Sequence, residues 1–462
     1  MKRIAVIGAG ISGLATAYQL RKQLAEAGID HQLRVFEKEG RPGGKITAAR
    51  RQGFHCEGGP NGFLDSRPET LALCRELGLT DRLQRASEAA RHRFVLLNGR
   101  LKEIPTSPLK FLASGVLSWR GKLRLLREPW APGPPPGHDQ SIAEFARRRL
   151  GEEAYQRLID PMVAGVFAGD GERLSLASCF PRMAQMEAEY GSLVRAMFRL
   201  ARQRRRGAGG PAGPGGTLTS FHGGLSELPR ALAQRLGDVG YGAALARLEA
   251  REGGYRLLFE DGPPYECDGV VLATEAFQAA RALAGLDLAL AQVLQRFEYA
   301  PVAVVGLGFR REQLGRPLDG FGFLTPSAAR RRILGSLWTS SIFPGRAPEG
   351  QVLLRTLVGG ARSPELAGLA EAELVALVLE ELRAILGLSG APTFTQVFHW
   401  PRAICQYTLG HARRLEEMEG RVDRHPGLFL TGNAYRGVAL NDCTANAVRV
   451  AERVREWVVG GK

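Results

Sequence analysis

Apolar and polar positions alternate along this chain in a way that switches repeatedly between two periods. The stretch "RIAVIGAGISGLATAYQLRKQL" runs from an apolar block at residues 4–7, through three glycines, into helical spacing. It predicts a buried strand, a tight turn and a helix. A second strand is expected at residues 33–38, and short strand-like runs recur at 255–259, 269–273, 302–309 and 352–358. Between them lies a mainly helical stretch, with helices expected over 142–150, 152–163 and 181–205. Leu374, Leu377, Val378, Glu381 and Leu382 share one face of an amphipathic helix over 371–386. Near the end, apolar residues 428–431 precede a Gly-Asn turn and a further helix starting at Asn441, so the strand–turn–helix unit appears twice. Two Pro/Gly-rich patches, "PWAPGPPPGHD" (129–139) and "RQRRRGAGGPAGPGGT" (202–217), cannot build a core and are expected as exposed loops.

Length and composition narrow this picture modestly. A chain of 462 residues suggests two or three domains, and 44% hydrophobic with 24% charged residues suits a globular protein with a real core. The formal charge of +15, mostly arginine, suits an anionic membrane surface or an acidic small molecule. No zinc spacing, aromatic RNP pattern or basic zipper accompanies it, so no nucleic-acid partner is expected. Cys56, Cys74, Cys179, Cys267, Cys405 and Cys443 show no metal-binding spacing and read as reduced cytosolic thiols. The glycines in the opening stretch argue against a signal peptide. With no apolar run of about 18 residues, a cytoplasmic protein, at most peripheral on the inner face of a membrane, is expected.

The chemistry begins in the first glycine turn, Gly8-Ala9-Gly10-Ile11-Ser12-Gly13. Gly8 allows the tight turn, Gly10 lets the backbone approach a pyrophosphate, and Gly13 lets helix and strand pack closely. Glu37, followed by Lys38, ends the next strand where a ribose hydroxyl is expected. This much serves NAD and FAD alike. Gly43, Gly44 and Lys45 then provide a second approach to the dinucleotide, and Gly59-Pro60-Asn61-Gly62 a third glycine-rich turn. Taken alone, Asn61 reads as an ordinary turn asparagine.

The spacing E-x(5)-GG-[RK] resembles the flavin amine oxidase and porphyrinogen oxidase superfamily, whose ligand is FAD. Six further segments, "RFVLLNGRLKEIP", "GVFAGDGERLSLASCFP", "SFHGGLSELPRAL", "DGFGFLTP", "HWPRAICQYTLGH" and "GLFLTGNAYRGVALNDC", resemble the oxygen-dependent protoporphyrinogen oxidase family in order and spacing. The resemblance implies an α/β fold, α+β overall. It has a Rossmann-type FAD-binding domain (1–90, 218–295 and 400–462), a helical membrane-associating insert (91–217) and a mixed-sheet substrate domain (296–399). It adds Leu245, Trp400, Gly432, Asn433, Val438, Ala439 and Leu440 to the cofactor wall. The late strand–turn–helix thereby becomes the far wall of the first site, its helix end aimed at the flavin.

The implied reaction is oxidation of protoporphyrinogen IX to protoporphyrin IX by O2, with release of H2O2. Arg93 falls where the family binds a propionate, Gly169 where a backbone carbonyl faces the pyrroles, and Val305, Phe321 and Trp338 where apolar walls stand. Trp338 departs from a more usual phenylalanine, and Asn61 stands where some members carry arginine. No catalytic side chain and no metal are expected, and His411 is read as structural or flavin-side. Arg147, Arg148, Arg149, Arg195, Arg199, Arg202, Arg204, Arg205 and Arg206 would face anionic lipid or form a solvated face. No long Trp/Phe/Lys anchor is evident, so any membrane hold is expected to be peripheral. A homodimer and haem-pathway neighbours such as ferrochelatase are further partners. Coproporphyrinogen III oxidation, an amine oxidase or carotenoid desaturase, and a non-enzymatic FAD scaffold are the alternative readings.

Overall fold

The computed structural model of the chain describes residues 1–65, 67–105, 107–205 and 216–460. Most of the second Pro/Gly-rich patch, including Arg206, lies outside them, as do the side chains of Arg204 and Arg205.

The first strand, Lys2–Ile7, lies at the centre of a five-stranded parallel sheet. His31–Glu37 pairs with one edge and Gly269–Leu272 with the other. Val239–Tyr241 and Leu428–Leu430 complete the sheet. Ile4 and Val6 face the opening helix, Ile11–Glu26, and the closing helix, Leu440–Gly460, through Leu14, Val450 and Val454. Ala5 and Ile7 face a second apolar cluster with Leu248, Leu257 and Leu290. Burial on both faces explains why this strand is continuously apolar.

The second sheet has seven strands in the order Phe394–Cys405, Tyr299–Arg310, Gln351–Gly359, Ile333–Trp338, Gly322–Leu324, Arg93–Leu97 and Arg100–Glu103. All neighbours are antiparallel except the Gly322–Leu324/Arg93–Leu97 pair. Ala303, Val305, Leu307 and Phe309 pack beneath the expected amphipathic helix, observed as Glu371–Leu386. Val302 and Val304 take the other face. On that face Gly306 admits Cys56, whose Sγ would lie 2.4 Å from an added Cβ. The hairpin strand Phe54–Glu57 of the nucleotide side is thereby seated on the sheet.

Two expected domain boundaries move. Arg93–Leu97 and Arg100–Glu103 belong to the seven-stranded sheet, because Phe94 packs into the Trp338 core. The helical segment therefore begins at Pro108–Ala113, not at residue 91. Phe394–Cys405 likewise runs past residue 399 without a break.

The helical segment differs from its sequence reading in detail. The helix expected over 181–205 is two helices, Pro181–Tyr190 and Leu193–Arg205, parted by Gly191 at φ +68°. Glu128 caps the second, accepting from Ser192 Oγ at 2.6 Å and from the Leu193 and Val194 N–H groups at 2.9 and 3.1 Å. The helix expected over 152–163 contains a π-helical turn, Tyr155–Ile159, just before Pro161, which has no N–H to give.

Three of the arginines assigned to lipid do other work. Arg147 pairs with Glu152 and Glu172, and Arg148 with Glu187. Arg149 is fully buried on Glu187 at 2.5 Å and on Glu128 at 3.5 Å. Single aromatics are nonetheless exposed on separate elements: Trp119, Trp130 and Phe198 are 66, 76 and 74% exposed. Leu123 and Leu126 are exposed with Trp119 on one short helix, Trp119–Leu126.

The Arg149–Glu187 pair gives the first prediction. Glu187→Ala takes the nearer of two carboxylates from buried Arg149 and is expected to cost about 3–5 kcal/mol of stability, read as a lowered midpoint in urea unfolding. A midpoint equal to wild type would show that Arg149 finds compensation elsewhere.

Candidate flavin and substrate site

The glycine turn is held by backbone geometry. Gly8, at φ +104°, donates its N–H to the Phe36 carbonyl at 2.7 Å. A Cβ on Gly13 would lie 2.0 Å from the Gly8 carbonyl oxygen, so only glycine lets the opening helix come this close. Gly10 caps that helix without a side chain, and no acid occupies its first turn. The first-turn N–H groups and the positive end of the helix are left for an anion. Glu37, 5% exposed, accepts from Ala9 N–H at 2.7 Å and Glu39 N–H at 2.9 Å. Leu245 opens the strand Leu245–Arg251 close by, two residues after Ala243, whose N–H donates to the Glu37 carbonyl at 2.8 Å.

From there the glycine-rich turns stack on one another. Gly43 N–H donates to the Ala9 carbonyl at 2.8 Å, and an added Cβ on Gly44 would lie 3.6 Å from Gly10 Cα. One on Gly59 would lie 1.9 Å from the Lys45 carbonyl oxygen. Trp400 Nε1 donates to the Gly58 carbonyl at 2.8 Å, and Arg355 donates to that of Gly59. Lys45 lies 3.5 Å from Glu275 and over the Tyr299 ring, and burial pushes its ammonium pKa down. Asn61 is buried with neither side-chain polar atom partnered, which points to a missing ligand at this turn.

The late unit closes the opposite side. Gly432 takes φ +140°, and the Asn433 carbonyl accepts from Tyr407 Oη at 2.8 Å. Val438 is half-buried, Ala439 is exposed and Leu440 starts the closing helix. Asp442 in its first turn accepts from Ala439 N–H at 3.3 Å, and burial raises its carboxyl pKa. A cradle of glycines, a buried ribose acceptor and an orphaned buried amide fit a dinucleotide with a second aromatic end.

Beyond the third glycine turn lies an apolar wall of Ala168, Val302, Val304, Leu334, Leu357 and Phe398. Gly169 adjoins it: an added Cβ would meet Gln406 Oε1 at 2.6 Å. Its neighbour Ala168 sits at φ +47° and accepts from Ala361 N–H at 2.7 Å. Arg93 is exposed on the same sheet face as this wall, since Phe94 points to the opposite core, and its guanidinium lies 5.1 Å over Phe321. Val305 and Trp338 belong to that opposite core, under Glu371–Leu386. They pack there as core residues, whereas Val304, one position away, belongs to the apolar wall on the other face. Sequence reading missed Val304, Leu334 and Leu357 because an all-apolar strand does not reveal its faces. It also passed over Arg355, although an arginine inside "VLLRTLV" was a visible anomaly.

The fold and cradle define a flavoprotein of the dinucleotide-binding class. Residues 11–455 match the family described as flavin containing amine oxidoreductase. The protoporphyrinogen oxidase of tobacco chloroplasts is 35% identical, over 97% of this chain and 84% of that one. The coproporphyrinogen III oxidase of Bacillus subtilis is 31% identical, over 96% and 95%. A crystal structure from Exiguobacterium sp. 255-15 superposes with a TM-score of 0.83 over 98% of both chains, at 26% identity. Reduced UDP-galactopyranose mutase shares the fold at a TM-score of 0.74 and 16% identity, over 100% of this chain and 96% of that one. The chain belongs to the flavin-containing amine oxidoreductase family; it is an oxidoreductase whose cofactor is FAD.

His411 is 1% exposed, stacked on Tyr407 at 3.9 Å, with Nε2 on the Tyr435 carbonyl at 3.0 Å. Burial holds its pKa down at about 4, so the imidazole is neutral. An unfolded histidine takes a proton near pH 6.5 and the native one only near 4, so stability is full above 6.5 and lost as pH falls through that window. The loss amounts to about 3 kcal/mol. His411→Gln is expected to flatten this acid limb in pH-resolved unfolding; an equally steep limb would shift the cause to other groups.

Proposed function

We propose that this chain oxidises a porphyrinogen to the corresponding porphyrin, with protoporphyrinogen IX as substrate and O2 as terminal acceptor. The observation that carries the reading is likeness to a named protoporphyrinogen oxidase over 97% of the chain. Six hydrogens leave the macrocycle in three two-electron steps, and three O2 become three H2O2. Bound FAD supplies the hydride-accepting chemistry. The chain's part is to bind, orient and exclude water. The wall around Val304 and Leu357 offers an apolar slot, and Gly169 adjoins it, packed against Gln406 and Leu174. Arg93, with its guanidinium over the Phe321 ring, is suited to a propionate. Coproporphyrinogen III is the second reading, because its named oxidase from Bacillus subtilis matches 95% of its own length. The two substrates differ in side groups and not at the reacting carbons.

The helical segment supports peripheral attachment to an anionic membrane. Exposed Trp119, Trp130, Met197 and Phe198 lie among exposed Arg120, Arg127, Arg195 and Arg199. No helix among the described residues is long and apolar enough to cross a membrane. Homodimerisation and contact with a haem-pathway neighbour such as ferrochelatase rest on the family resemblance alone.

The purified yellow protein, given each porphyrinogen in air, is expected to raise porphyrin fluorescence well above the non-enzymatic rate; background rates with both would remove the proposal. Arg93→Ala is expected to raise KM about 10- to 100-fold, the range for losing a charge-assisted contact, with FAD content intact. Unchanged kinetics would take Arg93 out of the site. In flotation with phosphatidylglycerol vesicles at low salt, the protein should rise with the lipid and the Trp119→Ala/Trp130→Ala variant should not. Sedimentation of wild type away from the vesicles would refute attachment.

A further inference from the structure

Arg149, Arg346 and Arg355 are nearly sealed from solvent, at 0, 1 and 4% exposure. Arg149 rests on Glu187 and Glu128, and Arg346 on Glu57. Arg355 has no carboxylate at ion-pair distance among the described residues. One nitrogen donates to the Gly59 carbonyl, and its Nε is buried without a partner. Burial lowers the pKa of its guanidinium, and the neighbouring Cys56 and Glu57 offset that only in part. Burial pushes the Cys56 thiol up to about 12, so it stays protonated. Glu57 is engaged by Arg346 and by Leu225 N–H at 2.9 Å. A buried guanidinium with incomplete compensation is costly unless an anionic partner completes it.

The stacked turns show where that partner lies. Glu37 marks the ribose end of the cofactor. Leading away from it, Gly10 meets Gly44, Lys45 meets Gly59, and the Gly59 carbonyl meets Arg355. Arg355 projects from Gln351–Gly359 on the face that receives Cys56, since its neighbour Leu354 packs in the opposite core. Other positive charge at this end is already spent. Lys45 is paired with Glu275, and Asp442 accepts from Ala439 N–H at the start of the closing helix.

We propose that Arg355 is a redox-tuning residue. Its charge stabilises the negative charge that FAD gains on reduction, while its hydrogen bond to Gly59 fixes the turn at residues 59–62. The ring end thereby meets a preorganised cation in a water-poor site. The proposal rests on FAD in the cradle and not on which porphyrinogen is oxidised, so its test needs no porphyrinogen.

Full-length wild type, Arg355→Met, Arg355→Gln and Arg355→Lys are compared for FAD content, for midpoint potential by dye equilibration, and for sulfite affinity of the bound flavin. Arg355→Met and Arg355→Gln are expected to disfavour two-electron reduction at least tenfold, about 30 mV for such a couple, and to weaken sulfite binding by a similar factor. Arg355→Lys should recover most of both. A neutral variant that keeps FAD, potential and sulfite affinity overturns the proposal and leaves Arg355 a support for the turn. If both neutral variants lose FAD, Arg355→Lys decides: wild-type potential supports charge tuning, and a tenfold loss in the lysine variant overturns it.

Discussion

The first close backbone approach along the chain is between Gly13 and the Gly8 carbonyl, where an added methyl carbon would lie 2.0 Å from oxygen. That contact sets the depth at which the opening helix meets the central strand. It fixes where Gly10 and the uncapped first turn point, and it brings Gly43 to the Ala9 carbonyl. Each later turn is then positioned by the one before, Gly44 against Gly10 and Gly59 against Lys45. A side chain at the first step would displace the whole stack. The closing helix completes the arrangement by packing on the opening helix through Val450 and Val454, so the ends of the chain share one core.

A cofactor cradle drawn from distant segments needs fastening across sequence, and buried charge provides it. Arg346 joins the seven-stranded side to His55, Glu57, Ser220 and the Phe221 carbonyl. Glu128 and Glu187 hold Arg149, and Glu128 also caps a helix inside the helical segment. Arg362 ties that segment to the sheet through Asp160 and Asp170. Such pairs add little net stability over apolar packing, but removing one partner is expensive, so they favour one docking arrangement over others.

Sequence legibility followed physical locality. The glycine turns, Glu37 and the helix Glu371–Leu386 were readable because turn stereochemistry and amphipathic spacing are set by neighbours in the chain. The split at Gly191 was missed because a helix also tolerates an isolated glycine, and the cap that ends the question, Glu128, is far away in sequence. Which of Val304 and Val305 faces the site was not readable, since both are apolar and only the packed helix breaks the symmetry. The three consecutive arginines at 147, 148 and 149 looked like surface charge. Their acidic partners Glu172 and Glu187 are brought to them by tertiary structure. The exposed tryptophans escaped for the converse reason: composition shows an aromatic, not the absence of anything packed over it.

The charges around the cradle suit chemistry that needs no side-chain base. His411 is locked neutral between Tyr407 and the Tyr435 carbonyl, and the Asp442 carboxyl, its pKa raised by burial, is engaged with Ala439. Lys45 is compensated by Glu275. At the proposed ring end and substrate rim, Arg355 and Arg93 have no carboxylate at ion-pair distance among the described residues. A site of that sign lowers the cost of placing electrons on the cofactor and of holding a substrate that carries carboxylates. It does nothing to pull a proton from a neutral macrocycle. In the proposed reaction, proton release therefore falls to the substrate's own N–H groups and to water. On the proposed reading the protein contributes geometry, which acts on the substrate in the slot, and one buried cation, which acts on the cofactor whether or not substrate is bound.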